Sequence, residues 1–369
     1  MDITKIDSNF DLSFTPPEDL EWFSANDAPF ALYGAVYAEQ EGLYRRLPKE
    51  VAEATNPGVA HLSKNTAGVR LRFTTNSPYI TLRLEEPFEV PFSHMTIEGK
   101  CGASIFADGS FVGSVMPSYA QLVKADPSLG GNGTVVFDGM KNVYGANGES
   151  YLAEIFFPLY SSVKHLWIGL QKNAVLAPPR PYRYERPILF YGSSITQGGC
   201  ASKPGDDYEN RLCRMLDTDY INLGFSGSAK GEDAMARYIA AQDPSVFVLD
   251  YDHNAPTAEH LKNTHYPLYK TVRDAHPETP IILMTMPTIE GYENRSWHKA
   301  RRDEILASFE RARAEGDENV YLLDAYGVFG EELNGECSTV DGTHPDSLGF
   351  LRMAELLYPL LNQLLNGDV

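Results

Sequence analysis

The segment that decides the fold is residues 187–196, PILFYGSSIT, in which an apolar run ends at Gly192 and passes into Ser193 and Ser194. An uninterrupted apolar run of this length is typical of a strand that is buried on both faces of a parallel sheet. A serine directly after such a strand lies at a tight turn, where its hydroxyl can be exposed near a helix N-terminus. The segment therefore predicts an α/β domain and makes Ser194 a candidate nucleophile.

Downstream of this segment, apolar strands alternate with helical stretches. The predicted strands are residues 188–191, 220–223, 246–250, 281–284 and 321–323. The predicted helices include residues 232–241 and 298–314, and a closing helix over residues 347–365 has apolar side chains at helical spacing. This alternation predicts a parallel five-stranded sheet with helices on both faces.

Upstream, between about residues 30 and 175, the pattern changes to short alternating strands separated by Gly- and Asn-rich turns. Such strands favour an all-β sandwich or jelly-roll domain. Residues 177–187, APPRPYRYERP, contain four prolines, which disfavour a helix and remove backbone donors. We therefore predict a β-sandwich domain over residues 1–176, a Pro-rich linker over 177–187 and a catalytic domain over 188–369.

Charge and cysteine usage exclude several classes of protein. The 369 residues contain 50 acidic and 31 basic residues, a net charge of −19, which argues against nucleic acid and anionic membranes as partners. The four cysteines form no CxxC pair, so neither a disulfide framework nor a zinc ribbon is indicated. The opening MDITKIDSNFDL lacks the pattern of a signal peptide and predicts a cytoplasmic protein, or a secreted one if the chain was trimmed before Met1.

Polar residues follow the predicted strands at the sheet edge where α/β proteins bind ligands. The second strand leads to Gly227, whose N–H can approach a ligand closely, and the third leads to Asn254, an amide donor. Near the C-terminus, Asp341 precedes His344 by three residues, so its carboxylate can accept the Nδ1 proton and leave Nε2 as a base. Ser194, Asp341 and His344 would form a catalytic triad, with the Ser194 N–H, the Gly227 N–H and Asn254 as the oxyanion hole.

Four segments, FYGSSITQG, NLGFSG, DYDHNAP and DGTHPDSLGF, resemble in order and spacing the signature blocks of the SGNH (GDSL-type) hydrolases. The resemblance covers about residues 186–366 and implies an esterase with a flavodoxin-like sheet and no cofactor. It also implies Ser194 as nucleophile, Gly227 and Asn254 as oxyanion donors, and His344 with Asp341 as base. LYRRLP, HLSKNTAGVRLRFTTNS and FFPLYSSVKHLWIGL resemble the β-sandwich domain of one bacterial subgroup.

Two departures from the family pattern stand out. The usual GDS reads Gly192-Ser193-Ser194, where Ser193 is not the attacking group. The usual GxND reads Asp252-His253-Asn254-Ala255, which keeps the amide donor but loses the acid after it.

Several residues also have simpler interpretations. Asp341 could form only an Asx turn or a helix cap. The histidine spacing does not fit a helical zinc site, so scaffold is favoured over a metal site and no metal is expected for the cluster Asp250, Asp252, His253, His260 and His265. His253 and His265 are candidates to line the substrate pocket. Cys200 is expected to be a small buried side chain.

The motifs indicate an ester substrate, and the sequence predicts removal of short acyl groups, acetyl in particular, from a carbohydrate, either a small-molecule sugar or an oligosaccharide. A lipase or lysophospholipase-like acyl hydrolase is the enzymatic alternative. A non-catalytic carbohydrate-binding protein is the alternative from another class. In a third interpretation the sandwich binds no ligand and only packs against the catalytic domain, where it shapes the rim of the pocket, with Tyr44, Arg45 and Arg46 as rim residues. The oligomeric state stays open.

Overall fold

The computed structural model describes residues 5–7, 14–145, 147–289, 296–330 and 337–367. The strands of the first half are β1 (Leu20–Ser24), β2 (Ala31–Tyr33), β3 (Val36–Ala38), β4 (Leu43–Arg45), β5 (Arg70–Thr75), β6 (Tyr79–Pro87), β7 (Ala103–Ala107), β8 (Ser110–Val115), β9 (Thr134–Asn142), β10 (Tyr151–Phe156), β11 (His165–Gln171) and β12 (Leu176–Ala177). Its helices are α1 (Lys49–Thr55), α2 (Pro57–Leu62), α3 (Ile97–Cys101) and α4 (Tyr119–Ala125).

The first half is an antiparallel β-sandwich, as predicted. One sheet has the order β1-β11-β6-β9, and the other has the order β12-β5-β10-β7-β8 with β2 beside β5. Alternate residues such as Leu82, Ile105, Ile155 and Ile168 fill the space between the sheets. The four short helices interrupt a region whose pattern predicts only β structure. Local capping explains three of them, since Asn56 caps α2, Thr96 caps α3 and Ser118 caps α4 with a full capping box.

The second half is the predicted α/β domain. Its strands are β13 (Tyr184–Gly192), β14 (Thr218–Gly224), β15 (Val246–Asp250), β16 (Ile281–Met284) and β17 (Val320–Leu323). Its helices are α5 (Tyr208–Leu216), α6 (Asp233–Ala240), α7 (Ala258–Ala275), α8 (Ser296–Ala314) and α9 (Ser347–Asn366). All strand pairs are parallel, and the order β14-β13-β15-β16-β17 is the flavodoxin-like 2-1-3-4-5 arrangement.

Neighbouring residues of the central strand β13 belong to different cores. Leu189 and Tyr191 pack in the cluster that includes Val272 of α7, whereas Ile188 and Phe190 pack in the cluster that includes Leu357 of α9. The sheet is therefore buried on both faces, which is why its strands are continuous apolar runs. Among the helices that the structure describes, none is long and apolar enough to cross a membrane.

The two halves are packed together and share cores. Val59 of α2 belongs to one core cluster of the parallel sheet, and Tyr160 of the sandwich belongs to the other. In the segment 177–187, Ala177 ends β12, and Tyr184 starts β13. Strand residues thus lie at both ends of the predicted linker, and the sandwich lies against the sheet edge that carries the site.

Candidate active site

The nucleophile turn is built by close approach of the ends of β13 and β15. A Cβ atom on Gly192 would lie 2.0 Å from Thr196 Oγ1 and 2.3 Å from the Asp250 carbonyl oxygen, so only glycine fits there. Ser193 is 0% exposed, and its Oγ accepts a hydrogen bond from the Ile195 N–H at 3.1 Å. Its hydroxyl therefore stabilises the turn. Ser194, the next residue, is half-buried and has its hydroxyl in the site.

Ser194, His344 and Asp341 form a continuous hydrogen-bonded chain. Ser194 Oγ lies 2.9 Å from His344 Nε2, and His344 Nδ1 lies 2.8 Å from Asp341 Oδ2. Asp341 Oδ1 also accepts from the backbone N–H groups of Thr343 at 3.0 Å and His344 at 2.8 Å. Asp341 therefore forms the Asx turn and also contacts the imidazole, so its two interpretations coexist.

The electrostatics of Asp341 favour its charged form. Partial burial raises the pKa of this carboxyl, but the hydrogen bonds and the charge of His344 outweigh burial and hold the pKa below its usual value. An ionised Asp341 keeps the Nδ1 proton on its own side of the ring. Nε2 is thereby left to accept the Ser194 proton.

Gly227 and Asn254, the two predicted oxyanion residues from other loops, lie together. Gly227 has a φ of +63°, a left-handed conformation that suits glycine. Its N–H donates to Asn254 Oδ1 at 3.1 Å, and Asn254 Nδ2 donates to the Phe225 carbonyl at 2.9 Å. The Gly227 N–H thus orients the Asn254 amide. The second Nδ2 proton of Asn254 and the Ser194 N–H remain as donors for an oxyanion.

Two buried amides, which the sequence analysis did not single out, hold the loops that carry the site. Gln197 Oε1 accepts from the Ser226 N–H at 2.9 Å, next to Gly227. Asn222 Nδ2 donates to the Thr196 carbonyl at 2.6 Å. These bonds tie the nucleophile turn to the oxyanion loop. They support the site in a chain that has alanine, and not an acid, directly after Asn254.

The sandwich contributes side chains to the site. The Tyr160 hydroxyl donates to the Ser194 carbonyl at 3.1 Å, and the Phe92 ring lies 5.9 Å from the Tyr160 ring. The His94 ring centroid lies 5.9 Å from that of His344. Phe92 and His94 lie on the segment 88–96 between β6 and α3, and both are exposed. No motif marked these residues, because their position depends on how the halves pack.

The suggested rim residues are in fact buried. Tyr44 is 1% exposed and packs in the sandwich core, while Arg45 and Arg46 are each 4% exposed. Arg45 pairs with Glu41 within the sandwich. Arg46 instead extends into the second half, where it donates to the Gly224 carbonyl at 3.0 Å. The rim prediction is therefore wrong for all three, and Arg46 is a buried contact between the halves.

The two histidines suggested for the pocket have different surroundings. His253 is half-buried and lies close enough to the base His344 to feel its charge. Burial, together with that charge, lowers the pKa of His253 to about 3, so its ring is neutral. His265 is 1% exposed, and its ring stacks on Tyr251 with centroids 5.9 Å apart. The pocket assignment of His265 is wrong, because an apolar and aromatic environment encloses its ring.

The other polar residues considered as metal ligands make ordinary hydrogen bonds. Asp250 Oδ2 accepts from the Thr196 and Tyr208 hydroxyls, and Asp252 Oδ2 accepts from the Met286 N–H. His260 Nε2 lies 2.8 Å from the Lys230 carbonyl oxygen. Cys200 is 6% exposed, and burial raises the pKa of its thiol to about 12. Cys200 is therefore a buried, protonated thiol.

Comparisons with known proteins agree with this fold. The GDSL-like lipase/acylhydrolase family model matches residues 185–362, and the model for the N-terminus of SGNH hydrolase-type esterases, GxDLY, matches residues 20–176. A search of the curated proteins gives no match.

Three solved structures show how far the likeness extends. A protein of Bacteroides ovatus described as a GDSL-like lipase has a TM-score of 0.80 and 29% identity, over 94% of this chain and 98% of that one. The salicylyl-acyltransferase SsfX3 of a tetracycline biosynthetic pathway has a TM-score of 0.73 and 22% identity, over 95% and 98%. An acetyl xylan esterase of Butyrivibrio proteoclasticus has a TM-score of 0.58 and 12% identity, over 94% and 99%. The last two share the fold.

The fold, the site and these matches define a carboxylic ester hydrolase. The chain belongs to the SGNH (GDSL-type) hydrolase family, in the group whose catalytic domain follows a GxDLY β-sandwich.

Proposed function

We propose that this esterase removes short acyl groups, acetyl in particular, from a carbohydrate, through an acyl-enzyme formed on Ser194. The observation that carries the mechanism is the chain from Ser194 Oγ to His344 Nε2 at 2.9 Å and from His344 Nδ1 to Asp341 Oδ2 at 2.8 Å. This is the arrangement that activates a serine hydroxyl at neutral pH.

The reaction proceeds in two acyl-transfer steps. Ser194 Oγ attacks the ester carbonyl while His344 Nε2 takes its proton, and the resulting oxyanion accepts hydrogen bonds from the Ser194 N–H and the Asn254 amide. His344 then protonates the departing alcohol, leaving the acyl group on Ser194. Water attacks this acyl-enzyme with His344 again as base, which releases the acid. Asp341 stabilises the imidazolium in both steps, and no cofactor takes part.

Two features support a carbohydrate as the acyl-bearing partner. The Phe92 ring is 42% exposed beside the site, and an exposed aromatic ring offers an apolar face for a sugar ring. A structure with the same fold is an acetyl xylan esterase. The net charge of −19 also disfavours an anionic lipid surface.

A chain-length series tests the acyl preference. We expect kcat/KM for p-nitrophenyl esters to be highest for acetate and to fall through butyrate, octanoate and dodecanoate. A maximum at octanoate or longer would overturn the acetyl assignment in favour of a lipase or lysophospholipase-like hydrolase. Release of acetate from acetylated xylo- and cello-oligosaccharides, measured by proton NMR, tests the acceptor.

The matched controls are Ser194→Ala and Ser193→Ala, which each remove one of two adjacent hydroxyls. Only Ser194→Ala should abolish turnover, because Ser193 Oγ is buried in its own turn. If the wild-type protein released no more acetate than Ser194→Ala, the chain would be a carbohydrate-binding protein that retains the hydrolase fold as a scaffold.

A further inference from the structure

A second group of reactive side chains surrounds His344. His94 of the segment 88–96, Cys200 after the nucleophile turn, and His344 each offer one ligand atom, and these atoms all lie within 4.8 Å of one another. The reaction described above uses neither His94 nor Cys200. The cluster joins both halves of the chain, because His94 belongs to the sandwich.

The backbone holds Cys200 firmly at this place. Cys200 has a φ of +73°, in the left-handed region, and is 6% exposed. The preceding residue, Gly199, donates its N–H to the Ser194 carbonyl at 2.8 Å, and a Cβ atom there would lie 3.4 Å from His344 Cδ2. The chain therefore passes tightly against the nucleophile and the base and fixes the thiol beside them.

Two imidazoles and one thiol form a ligand set that suits zinc-class divalent cations. Nδ1 of His344 is bonded to Asp341 at 2.8 Å, and Nε2 is bonded to Ser194 Oγ at 2.9 Å, so a metal at Nε2 would displace the Ser194 hydroxyl and leave the contact with Asp341 intact. A carboxylate on the far nitrogen is the usual way in which proteins orient a metal-binding histidine. The arrangement that prepares His344 as a base thus also prepares it as a ligand.

The spacing requires a small closure around the ion. With metal–sulfur and metal–nitrogen bonds of about 2.3 and 2.0 Å, tetrahedral ligand atoms lie roughly 3.5 Å apart. The separations here extend to at most 4.8 Å. His94 is exposed on its connecting segment, so rotation of its side chain can supply most of this movement.

We propose that His94, Cys200 and His344 bind a zinc-class divalent cation, and that this binding inhibits the esterase. The metal forms bonds to two ring nitrogens and to the Cys200 sulfur, and the thiol proton passes to solvent. Water fills the fourth position. Because the ion occupies His344 Nε2, the Ser194 proton loses its acceptor. This inhibition rests on the proposed role of His344, whereas the binding itself does not.

Cadmium titration tests binding without using turnover. The experiment is performed on the full chain carrying Cys337→Ser, which removes the exposed thiol and leaves the three buried ones. We expect one equivalent of Cd²⁺ to produce the ultraviolet charge-transfer band of a cadmium-bound thiolate. The band should disappear when Cys200→Ser is added. A band that persists without Cys200, or no band at all, would overturn the site.

Zinc inhibition of ester hydrolysis provides the second readout, with each variant compared with its own metal-free rate. Loss of one ligand should raise the inhibitory zinc concentration at least about tenfold for His94→Ala. His61→Ala, which removes an exposed histidine of α2, should leave it unchanged. Equal zinc sensitivity of His94→Ala and the wild type would also refute the proposal. A cadmium band in a protein without esterase activity would instead refute the proposed function.

Discussion

Arg46 provides the sharpest test of how the sandwich supports catalysis. Its Nε donates to the Asn65 carbonyl at 2.7 Å, and its Nη2 donates to the Leu62 carbonyl at 2.9 Å. Its Nη1 reaches across to the second half, to Asn222 O and Oδ1 at 3.1 Å each and to the Gly224 carbonyl at 3.0 Å. The guanidinium thus clamps the end of β14, just before the oxyanion loop.

The expected magnitude follows from the number of bonds. Five acceptor contacts depend on one planar guanidinium, and a lysine at this position offers three donors from a single point. Arg46→Lys keeps the charge but loses at least two of these bonds. At about 1–1.5 kcal/mol for each lost bond, the free energy of unfolding should fall by about 2–3 kcal/mol. We also expect kcat to fall about tenfold, because the oxyanion donors lose part of their positioning.

Arg45→Lys is the matched control. Arg45 is equally buried, but its partners, Glu41 and Ser63, both lie within the sandwich. Urea unfolding should show a loss of stability for both variants, whereas kcat should change less than about twofold for Arg45→Lys. If Arg46→Lys lost stability with no change in kcat, or if both variants lost kcat equally, the sandwich would not position the oxyanion loop through Arg46.

Three further substitutions give independent expectations. Asp341→Asn should lower kcat by about 10²–10³. This loss is smaller than the loss expected for a fully buried triad aspartate, because the Asp341 side chain is 39% exposed. An unchanged kcat would mean that another group orients His344. Asn254→Ala should lower kcat by about 10²–10³ with little effect on KM, and the opposite pattern would assign Asn254 to substrate binding. Burial, with the nearby charges of Asp207 and Asp250, raises the pKa of the Glu209 carboxyl well above its usual value. The folded state therefore retains a proton that the unfolded state loses, so stability falls by about 1.4 kcal/mol per pH unit from an unfolded-state pKa of about 4.3 up to the folded-state pKa. Glu209→Gln should thus lose less stability in urea than the wild type as the pH rises above about 5, and the same pH dependence in both proteins would contradict this.

The parallel sheet could be predicted from the sequence because its strands are buried on both faces. A continuous apolar run such as residues 246–249 favours a strand buried on both faces, and the polar residues that follow such strands fall at one edge of the sheet. Asp341 and His344 are neighbours on one turn, so their contact follows from local geometry. The contact between Ser194 and His344 joins residues 150 positions apart, and it follows from the strand order.

The contribution of the sandwich could not be predicted in the same way. Arg46 contacts Asn222 across 176 positions, and arginine in a sequence is by default a surface residue. The positions of Tyr160 and His94 depend on how the two domains pack together, and this packing cannot be predicted from the hydrophobic periodicity of the sequence. The engagement of the Gly227 N–H by Asn254 is likewise a detail of loop geometry, so the motif identified the residues but not their hydrogen bond.

Covalent labelling tests the central claim, that Ser194 is the nucleophile and His344 its base, most directly. Protein treated with a fluorophosphonate should gain one adduct, located on Ser194 by peptide mass spectrometry. Ser193→Ala should label like the wild type, Ser194→Ala should not label, and His344→Ala should label far more slowly. An adduct on Ser193, or equal labelling with and without His344, would contradict the account.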